Sequence, residues 1–182
     1  MSFSRFRALL SNNPKATNAV VYGILFGGGE VSQQTYQGVE KYDWASVGRI
    51  AAVGSFLGPI YSVWYTKLDK FFPGNATKTV VKKLALDQGL GGLFGACVFF
   101  AGTAALEGKS KEGIKEDVKD KATKAYVIGW AYWPAVQMIN FKFLPTSMRA
   151  PYVGAGAFIW TNVLCFIKSF SGEKNVELTE NA

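Results

Sequence analysis

Apolar residues in this chain come in runs of about twenty, and these runs constrain its fold more than any other feature. A soluble helix or strand alternates apolar and polar side chains at its own period, whereas an apolar run of this length matches the hydrocarbon core of a bilayer. Charged residues, 18% of the total, are concentrated between the runs. We therefore predict an all-α fold, an integral membrane helical bundle of four to five apolar helices plus one amphipathic surface helix.

The runs define one domain. We predict a basic N-terminal flank over residues 1–15, a single transmembrane bundle over 16–171 and a disordered tail over 172–182. The flank resembles a mitochondrial targeting segment, but it is equally consistent with a basic border of the first span. Lys109–Lys124 alternates lysines with acids at helical spacing and predicts the surface helix. The apolar segments are Ala16–Tyr36, Val47–Tyr65, Leu84–Leu106, Gly129–Arg149 and Pro151–Phe170, and the sequence leaves four or five spans open.

The segment Gly129–Arg149 combines an apolar background with polar side chains and two prolines. As a helix it places four polar or aromatic residues on one face, at offsets of three, four and three. Pro134 predicts a kink, and Pro145 predicts the end of the helix or the start of the next turn. Amides in hydrocarbon need partners, so this face should point into the bundle, where it either joins helices or lines a solute pathway. The four residues are Trp130, Trp133, Gln137 and Asn140.

Acidic residues inside the apolar runs are the other functional candidates. A charged Glu30 near the bilayer centre costs on the order of 2.5 to 3.5 kcal/mol, so it should be neutral, paired or hydrated in a cavity, unless the first span ends near Gly29 and Glu30 lies at the interface. Asp87 opens the third run. The candidate pore or polar bundle-interior residues are Glu30, Gln34, Asp87, Gln88, Trp130, Trp133, Pro134, Gln137, Asn140 and Arg149.

Glycines recur at four-residue spacing within three of the apolar runs. Such pairs let helix backbones approach closely, which is how apolar helices associate in lipid. The pairs are Gly23 and Gly27, Gly54 and Gly58, and Gly91 and Gly95.

The net charge of +7 indicates an anionic partner. We predict the lipid bilayer and its anionic lipids, because a group of lysines lies between two apolar runs as juxtamembrane basic loops do. No nucleic-acid partner is expected, since no base-reading module is visible. The sequence leaves a homo-oligomer open. The lysines are Lys67, Lys70, Lys78, Lys82 and Lys83.

Catalysis and cofactor binding are not expected. The chain has no His for general-base work or metal binding, and its acids are scattered or lie in charged loops. Cys97 and Cys165 lie within apolar runs and are interpreted as small buried side chains. We therefore predict that the protein is not an enzyme, with no metal site and no cofactor.

The polar residues of the fourth run also form a recognisable pattern. It is similar to the C-terminal signature of the Mpv-seventeen and peroxisomal membrane protein family, small multi-pass proteins of the mitochondrial inner membrane and the peroxisome. The pattern is Trp130-x-x-Trp133-Pro134-x-x-Gln137-x-x-Asn140-Phe141-x-x-x-Pro145-x-x-x-Arg149.

The resemblance extends over roughly Asn13 to Phe170. Tyr61 or Ser62 stands near a His of the family, Glu30 replaces an Asp, and the Pro found shortly after the Asp-Gln pair is missing, so no role of that His carries over. The further matching stretches are Gly29-Glu30 with Gln34, Gly58-Pro59 with Trp64-Tyr65, and Asp87-Gln88.

The resemblance implies a function and a location. It implies a channel for small solutes or ions that contributes to mitochondrial homeostasis and mitochondrial DNA maintenance. The alternative is a non-conducting structural or assembly protein whose charged loops bind a partner. The expected location is the mitochondrial inner membrane, with the peroxisomal membrane as the alternative.

Overall fold

Five helices make up the part of the chain that the computed structural model describes, residues 8, 12–160 and 162, and no strand occurs there. The predicted all-α class is confirmed. Most of the predicted flank, the end of the Pro151–Phe170 run with Cys165, and the predicted tail 172–182 lie outside the described residues. The helices are α1 (Pro14–Tyr36), α2 (Trp44–Phe71), α3 (Thr77–Leu106), α4 (residues 111–143) and α5 (residues 146–160).

Local signals in the sequence set several helix ends. The Asp43 carboxylate accepts a hydrogen bond from the Ser46 backbone N–H at 2.9 Å and caps α2. The Ser110 hydroxyl does the same for the Gly113 N–H at 3.2 Å at the start of α4. Glycines with positive φ then let the chain turn after α1, α2 and α3, and these are Gly38, Gly74 and Gly108.

The surface helix predicted at Lys109–Lys124 is not a separate element. Residues 111–117 continue through a π-helical turn, Val118–Ala122, into Thr123–Phe143, so the charged segment is the first part of α4. The prediction of a separate surface helix was wrong because no Gly or Pro interrupts the backbone between Gly113 and Gly129. Two of its predicted ion pairs are formed, Asp117 with Lys121 and Asp120 with Lys124.

Two other boundaries differ from the prediction. The segment Gly129–Arg149 is not one helix, since α4 ends at Phe143, Leu144 is extended and α5 begins after Pro145. The predicted role of Pro145 as a terminator is thus confirmed. Helix α3 starts earlier than predicted and contains a second π-helical turn, Asp87–Gly92, in its middle.

Helices α1 and α2 approach each other through the predicted glycines. A Cβ on Gly54 would lie 2.8 Å from the Tyr22 carbonyl oxygen, and one on Gly58 would collide with the Asn18 carbonyl oxygen. Gly23 likewise has room for no side chain, because the Ser55 hydroxyl occupies that space. The predicted use of small residues for close helix contact is confirmed for this pair.

The core lies where all five helices meet. Its fully buried members include Tyr22 of α1, Leu57 of α2, Val80 of α3, Phe141 of α4 and Val153 of α5. In the described part of the chain, one helix, Thr77–Leu106, is long and apolar enough to cross a membrane by the criteria of length and composition.

Candidate functional site: a tyrosine-lined cavity with two carboxylates

A cavity of about 320 Å³ lies at the centre of the helices, and each helix contributes to its wall. Most of its lining is apolar or aromatic. Its polar groups come mainly from α1 and from the π-helical turn of α3. Representative lining residues are Tyr22 of α1, Tyr61 of α2, Asp87 of α3, Trp133 of α4 and Val153 of α5.

Asp87 is the centre of a hydrogen-bond network, which we call the Asp87 network. The Trp64 indole N–H donates to its Oδ1 at 2.7 Å, and the Gln137 amide donates to its Oδ2. The same Gln137 amide donates to the Tyr65 hydroxyl at 2.9 Å, while the Asn140 amide donates to Gln137 Oε1 at 2.7 Å. These five residues, 0% to 3% exposed apart from the half-buried Trp64, join α2, α3 and α4. The π-helical turn at Asp87–Gly92 turns both Asp87 and Gln88 into the bundle.

Three tyrosines stack along one wall of the cavity. The ring centroids of Tyr22 and Tyr61 are 6.0 Å apart and those of Tyr61 and Tyr65 are 5.8 Å apart. The Tyr61 hydroxyl donates to the Gly91 carbonyl oxygen at 3.2 Å. The Tyr22 hydroxyl is buried and has no hydrogen-bond partner among the described residues, although Tyr22 lines the cavity. An orphaned hydroxyl of this kind is uncommon in protein interiors.

Glu30 brings a second carboxylate to the cavity. Its Oε1 accepts hydrogen bonds from the Gln34 amide at 2.8 Å and from the Ser46 hydroxyl at 2.9 Å. Gln34 in turn accepts a hydrogen bond from the Asp43 backbone N–H at 2.7 Å, which ties the end of α1 to the start of α2. Helix α1 continues past Glu30 to Tyr36, and the buried Glu30 carboxylate is held by the neutral groups of Gln34 and Ser46.

The ten predicted site residues do not all meet at the cavity. Gln34, Asn140 and Arg149 are buried but lie behind the wall, and Pro134 is half-buried within α4. The five predicted residues that line the cavity are Glu30, Asp87, Gln88, Trp133 and Gln137.

Trp130 is the clear error in that prediction. Its side chain is 51% exposed and packs edge-on against Tyr126, outside the cavity. The inward face of α4 is already occupied at this level by Gly129, which is buried against Trp133, so an indole one residue further along turns outward. The expected single face of four residues therefore begins at Trp133.

A second polar cluster, with buried Lys83 and Arg149, half-buried Asp69 and exposed Thr146, lies at the end of α2, beyond the predicted span. Asp69 accepts from the Lys83 ammonium at 2.6 Å and pairs with the Arg149 guanidinium, and the Thr146 hydroxyl donates to its other oxygen. Burial tends to raise the pKa of Asp69, but the hydrogen bonds from Lys83 and Thr146 and the charge of Arg149 outweigh it and hold the pKa below its usual value. We call these four residues the Asp69 cluster.

The cluster corrects the description of Lys83 as an exposed loop lysine. Lys83 is 0% exposed and also donates to the Gly74 carbonyl oxygen at 3.0 Å, whereas the other four predicted loop lysines are exposed. Its burial follows from the early start of α3, which places it on the inward face. The other four are Lys67, Lys70, Lys78 and Lys82.

Sequence reasoning missed the tyrosine wall. Tyr61, Trp64 and Tyr65 recur at i, i+3 and i+4, a spacing that puts them on one face of α2 and could have indicated a shared environment. No local pattern linked them with Tyr22, because that contact depends on how α1 packs against α2.

The charged side chains among the described lining residues of the cavity are all acidic. Its described lining includes the carboxylates of Glu30 and Asp87 and no Lys or Arg. The described residues also contain no group of three or more His, Cys, Asp or Glu side chains that could hold a metal ion. The arrangement can bind hydrogen-bond donors and cations.

These features define a class of protein, a small all-helical chain with a carboxylate-bearing cavity lined by its helices. The sequence profile described as Mpv17 / PMP22 family matches residues 104–165. The chain is 36% identical to the Mpv17-like protein of Bos taurus, over 84% of this chain and 77% of the relative. It is 32% identical to Protein sym-1 of Neurospora crassa, over 93% of this chain and 99% of the relative. The chain belongs to the Mpv17 / PMP22 family, as the sequence signature indicated.

A third relative bears on the location. The chain is 33% identical to the mitochondrial inner membrane protein Mpv17 of Xenopus laevis, over 87% of this chain and 92% of the relative. The predicted location of the chain, the mitochondrial inner membrane, is confirmed by such relatives. No solved structure matches the chain.

Proposed function

We propose that this protein is a channel-like protein of the mitochondrial inner membrane that passes small solutes or ions through the cavity at its centre. The observation that carries the proposal is the convergence of Glu30, Asp87, Gln88 and Gln137 on one cavity. Polar side chains inside a membrane bundle are costly, and those that surround an internal space are typical of solute pathways.

The proposal includes an integral membrane bundle of four to five spanning helices. Large apolar side chains point outward from every helix, as expected of a surface in contact with lipid. An alkaline carbonate extraction of mitochondria tests this part, and we expect the protein to stay in the pellet. The outward-pointing side chains include Ile24 of α1, Phe56 of α2, Phe94 of α3, Ile128 of α4 and Ile159 of α5.

The alternative is a non-conducting structural protein. The Asp87 network supports it, because Asp87 and Gln137 bond each other directly and Asn140 lies behind them rather than at the cavity surface. Direct pairing of polar groups is how interhelical contacts are held in lipid. The two functions differ in whether the cavity must be open for activity.

The experiment that separates them fills the cavity without touching a polar group. Ala125 lines the cavity from α4, whereas Ala135 is exposed on the outer side of the same helix. Purified protein is reconstituted into planar bilayers, and unitary conductance is recorded for the unchanged chain, Ala125→Leu and Ala135→Leu. We expect a several-fold lower conductance for Ala125→Leu and no change for Ala135→Leu.

Equal conductance of both variants, with both shown to be folded, would remove the cavity from the pathway. No conductance from the unchanged protein at any voltage would favour the structural alternative.

The proposed partners follow from the exposed charge. Lys67, Lys70, Lys78 and Lys82 lie together around the turn between α2 and α3, where anionic lipid headgroups would meet them. The resemblance to the family adds a contribution to mitochondrial homeostasis and mitochondrial DNA maintenance. Loss of mitochondrial DNA copies in cells that express only Ala125→Leu would connect that role with the cavity.

A further inference from the structure

The cavity has the chemistry of a binding site for a cation. Two carboxylates face it, and none of its described lining residues is a Lys or Arg that could neutralise them. Glu30 is held by the neutral donors of Gln34 and Ser46, and Asp87 by those of Trp64 and Gln137. The Tyr65 hydroxyl is a third hydrogen-bond partner of Asp87. A carboxylate offers about four lone-pair sites, so three hydrogen bonds leave Asp87 able to accept about one more.

A second observation is independent of the carboxylates. Tyr22 lines the cavity, and its buried hydroxyl has no hydrogen-bond partner among the described residues. It lies at one end of the Tyr22–Tyr61–Tyr65 stack. At the other end, the Tyr65 hydroxyl accepts a hydrogen bond from the Gln137 amide, which also donates to Asp87. A free acceptor oxygen therefore lies along the same wall as the carboxylate.

The aromatic surroundings narrow the ligand further. Tyrosine and tryptophan rings attract a cation electrostatically and at the same time provide an apolar surface. An inorganic ion would use only the oxygens and leave the apolar remainder of a 320 Å³ cavity unfilled. A molecule with an ammonium group and an apolar body would use both, and the volume lies within the range of small-molecule sites.

We propose that the cavity binds a small organic primary ammonium, with its charged group between Asp87 and Tyr22 and its apolar body against the aromatic wall. The inference deepens the proposed function. Passage of the ammonium across the membrane rests on the proposed channel, whereas its binding in the cavity does not. A primary ammonium has three donors, which suits the remaining acceptor site of Asp87 and the orphaned oxygen of Tyr22.

Three probes with one apolar body test the inference. 2-Phenylethylammonium, 2-phenylethanol and 3-phenylpropionate are titrated calorimetrically into the purified full chain in an uncharged detergent. We expect the ammonium to bind at least about tenfold more tightly than the alcohol, because a charge-assisted hydrogen bond is stronger than a neutral one, and the carboxylate to show no binding. Equal affinity for ammonium and alcohol, or displacement of the ammonium by an equal concentration of potassium chloride, would overturn the proposal.

Variants locate the site. Asp87→Asn removes the charge and should weaken ammonium binding at least about tenfold while leaving the alcohol unchanged. Tyr22→Phe removes a hydroxyl that bonds nothing in the described residues, so it should fold normally and weaken the ammonium about fivefold. Asp120→Asn, at an exposed pair with Lys124 outside the cavity, is the control and should bind as the unchanged chain does.

The variants also decide the outcome if Asp87→Asn fails to fold, since unchanged binding by Tyr22→Phe then overturns the proposed position. If conductance falls with Ala125→Leu but the protein does not bind the ammonium, this inference is rejected and the proposed function is kept. Ammonium binding without conductance would keep the site and reject the channel.

Discussion

Gln137 is the residue on which the Asp87 network depends most. It donates to Tyr65 and Asp87 and accepts from Asn140, so one amide connects three buried groups. We predict that Gln137→Leu lowers the free energy of unfolding by about 1 to 3 kcal/mol, because it leaves buried partners unsatisfied. Met138→Leu, next to it on the outer side of α4, should stay within about 0.5 kcal/mol. Reversible unfolding in detergent measures both, and equal effects would contradict the network.

Tyr22 and Tyr65 allow a matched comparison of two buried hydroxyls. The Tyr65 hydroxyl accepts a hydrogen bond from Gln137, whereas that of Tyr22 has no partner among the described residues. Tyr65→Phe should therefore cost about 1 kcal/mol, and Tyr22→Phe should be neutral or slightly stabilising. The test is the midpoint of thermal unfolding of the two variants in the same detergent. A larger loss for Tyr22→Phe would reveal a bonding partner for its hydroxyl.

At the scale of the helices, α1 and α2 depend on glycine for their close contact. A methyl group on Gly58 would meet the Asn18 backbone carbonyl, which cannot move without displacing α1. Gly58→Ala should thus cost about 1 to 3 kcal/mol. Gly48→Ala is the control in the same helix, where a Cβ would meet nothing within 4 Å and should stabilise the helix by up to about 1 kcal/mol. The sign of the two changes in unfolding midpoint should differ, and two losses would contradict the packing.

The sequence predicted this contact because glycine spacing is a local pattern, but it could not predict which residues would meet across helices. The same spacing rule predicts that both Trp130 and Trp133 face inward, yet only Trp133 reaches the cavity. An offset of three leaves the two indoles about 60° apart around the helix, so the rotation of α4 decides which of them reaches the cavity. That rotation is set by contacts with the other helices, which no single segment encodes.

Across the whole molecule, the burial of charged side chains also depends on contacts that no single segment encodes. A lysine between apolar runs is ordinarily exposed, and four of the five predicted loop lysines are. Lys83 is buried because it forms an ion pair with Asp69, fourteen residues earlier in the chain. Asp69 also forms an ion pair with Arg149 of α5. The Asp87 and Gln137 pair was predictable as polar and interior, but its partners Trp64 and Tyr65 were not, since they come from a third helix.

The Asp69 cluster joins α2, α3 and α5, so its loss should weaken the fold as a unit. Asp69→Asn would leave Lys83 buried without a counter-charge, which we expect to cost about 3 kcal/mol. Because the pKa of Asp69 is lowered in the folded state, its contribution is complete above the unfolded value of 3.8 and is lost as the pH falls through the folded value. The unfolding free energies of the unchanged chain and of Asp69→Asn should therefore differ at neutral pH, begin to approach each other only below about pH 4, and converge once the pH is below the folded pKa of Asp69. Asp120→Asn, in an exposed ion pair with Lys124, should show no comparable difference at any pH. A gap between the unchanged chain and Asp69→Asn that stays constant on acidification would mean that the amide disturbs packing and that the charge of Asp69 is not what holds the three helices together.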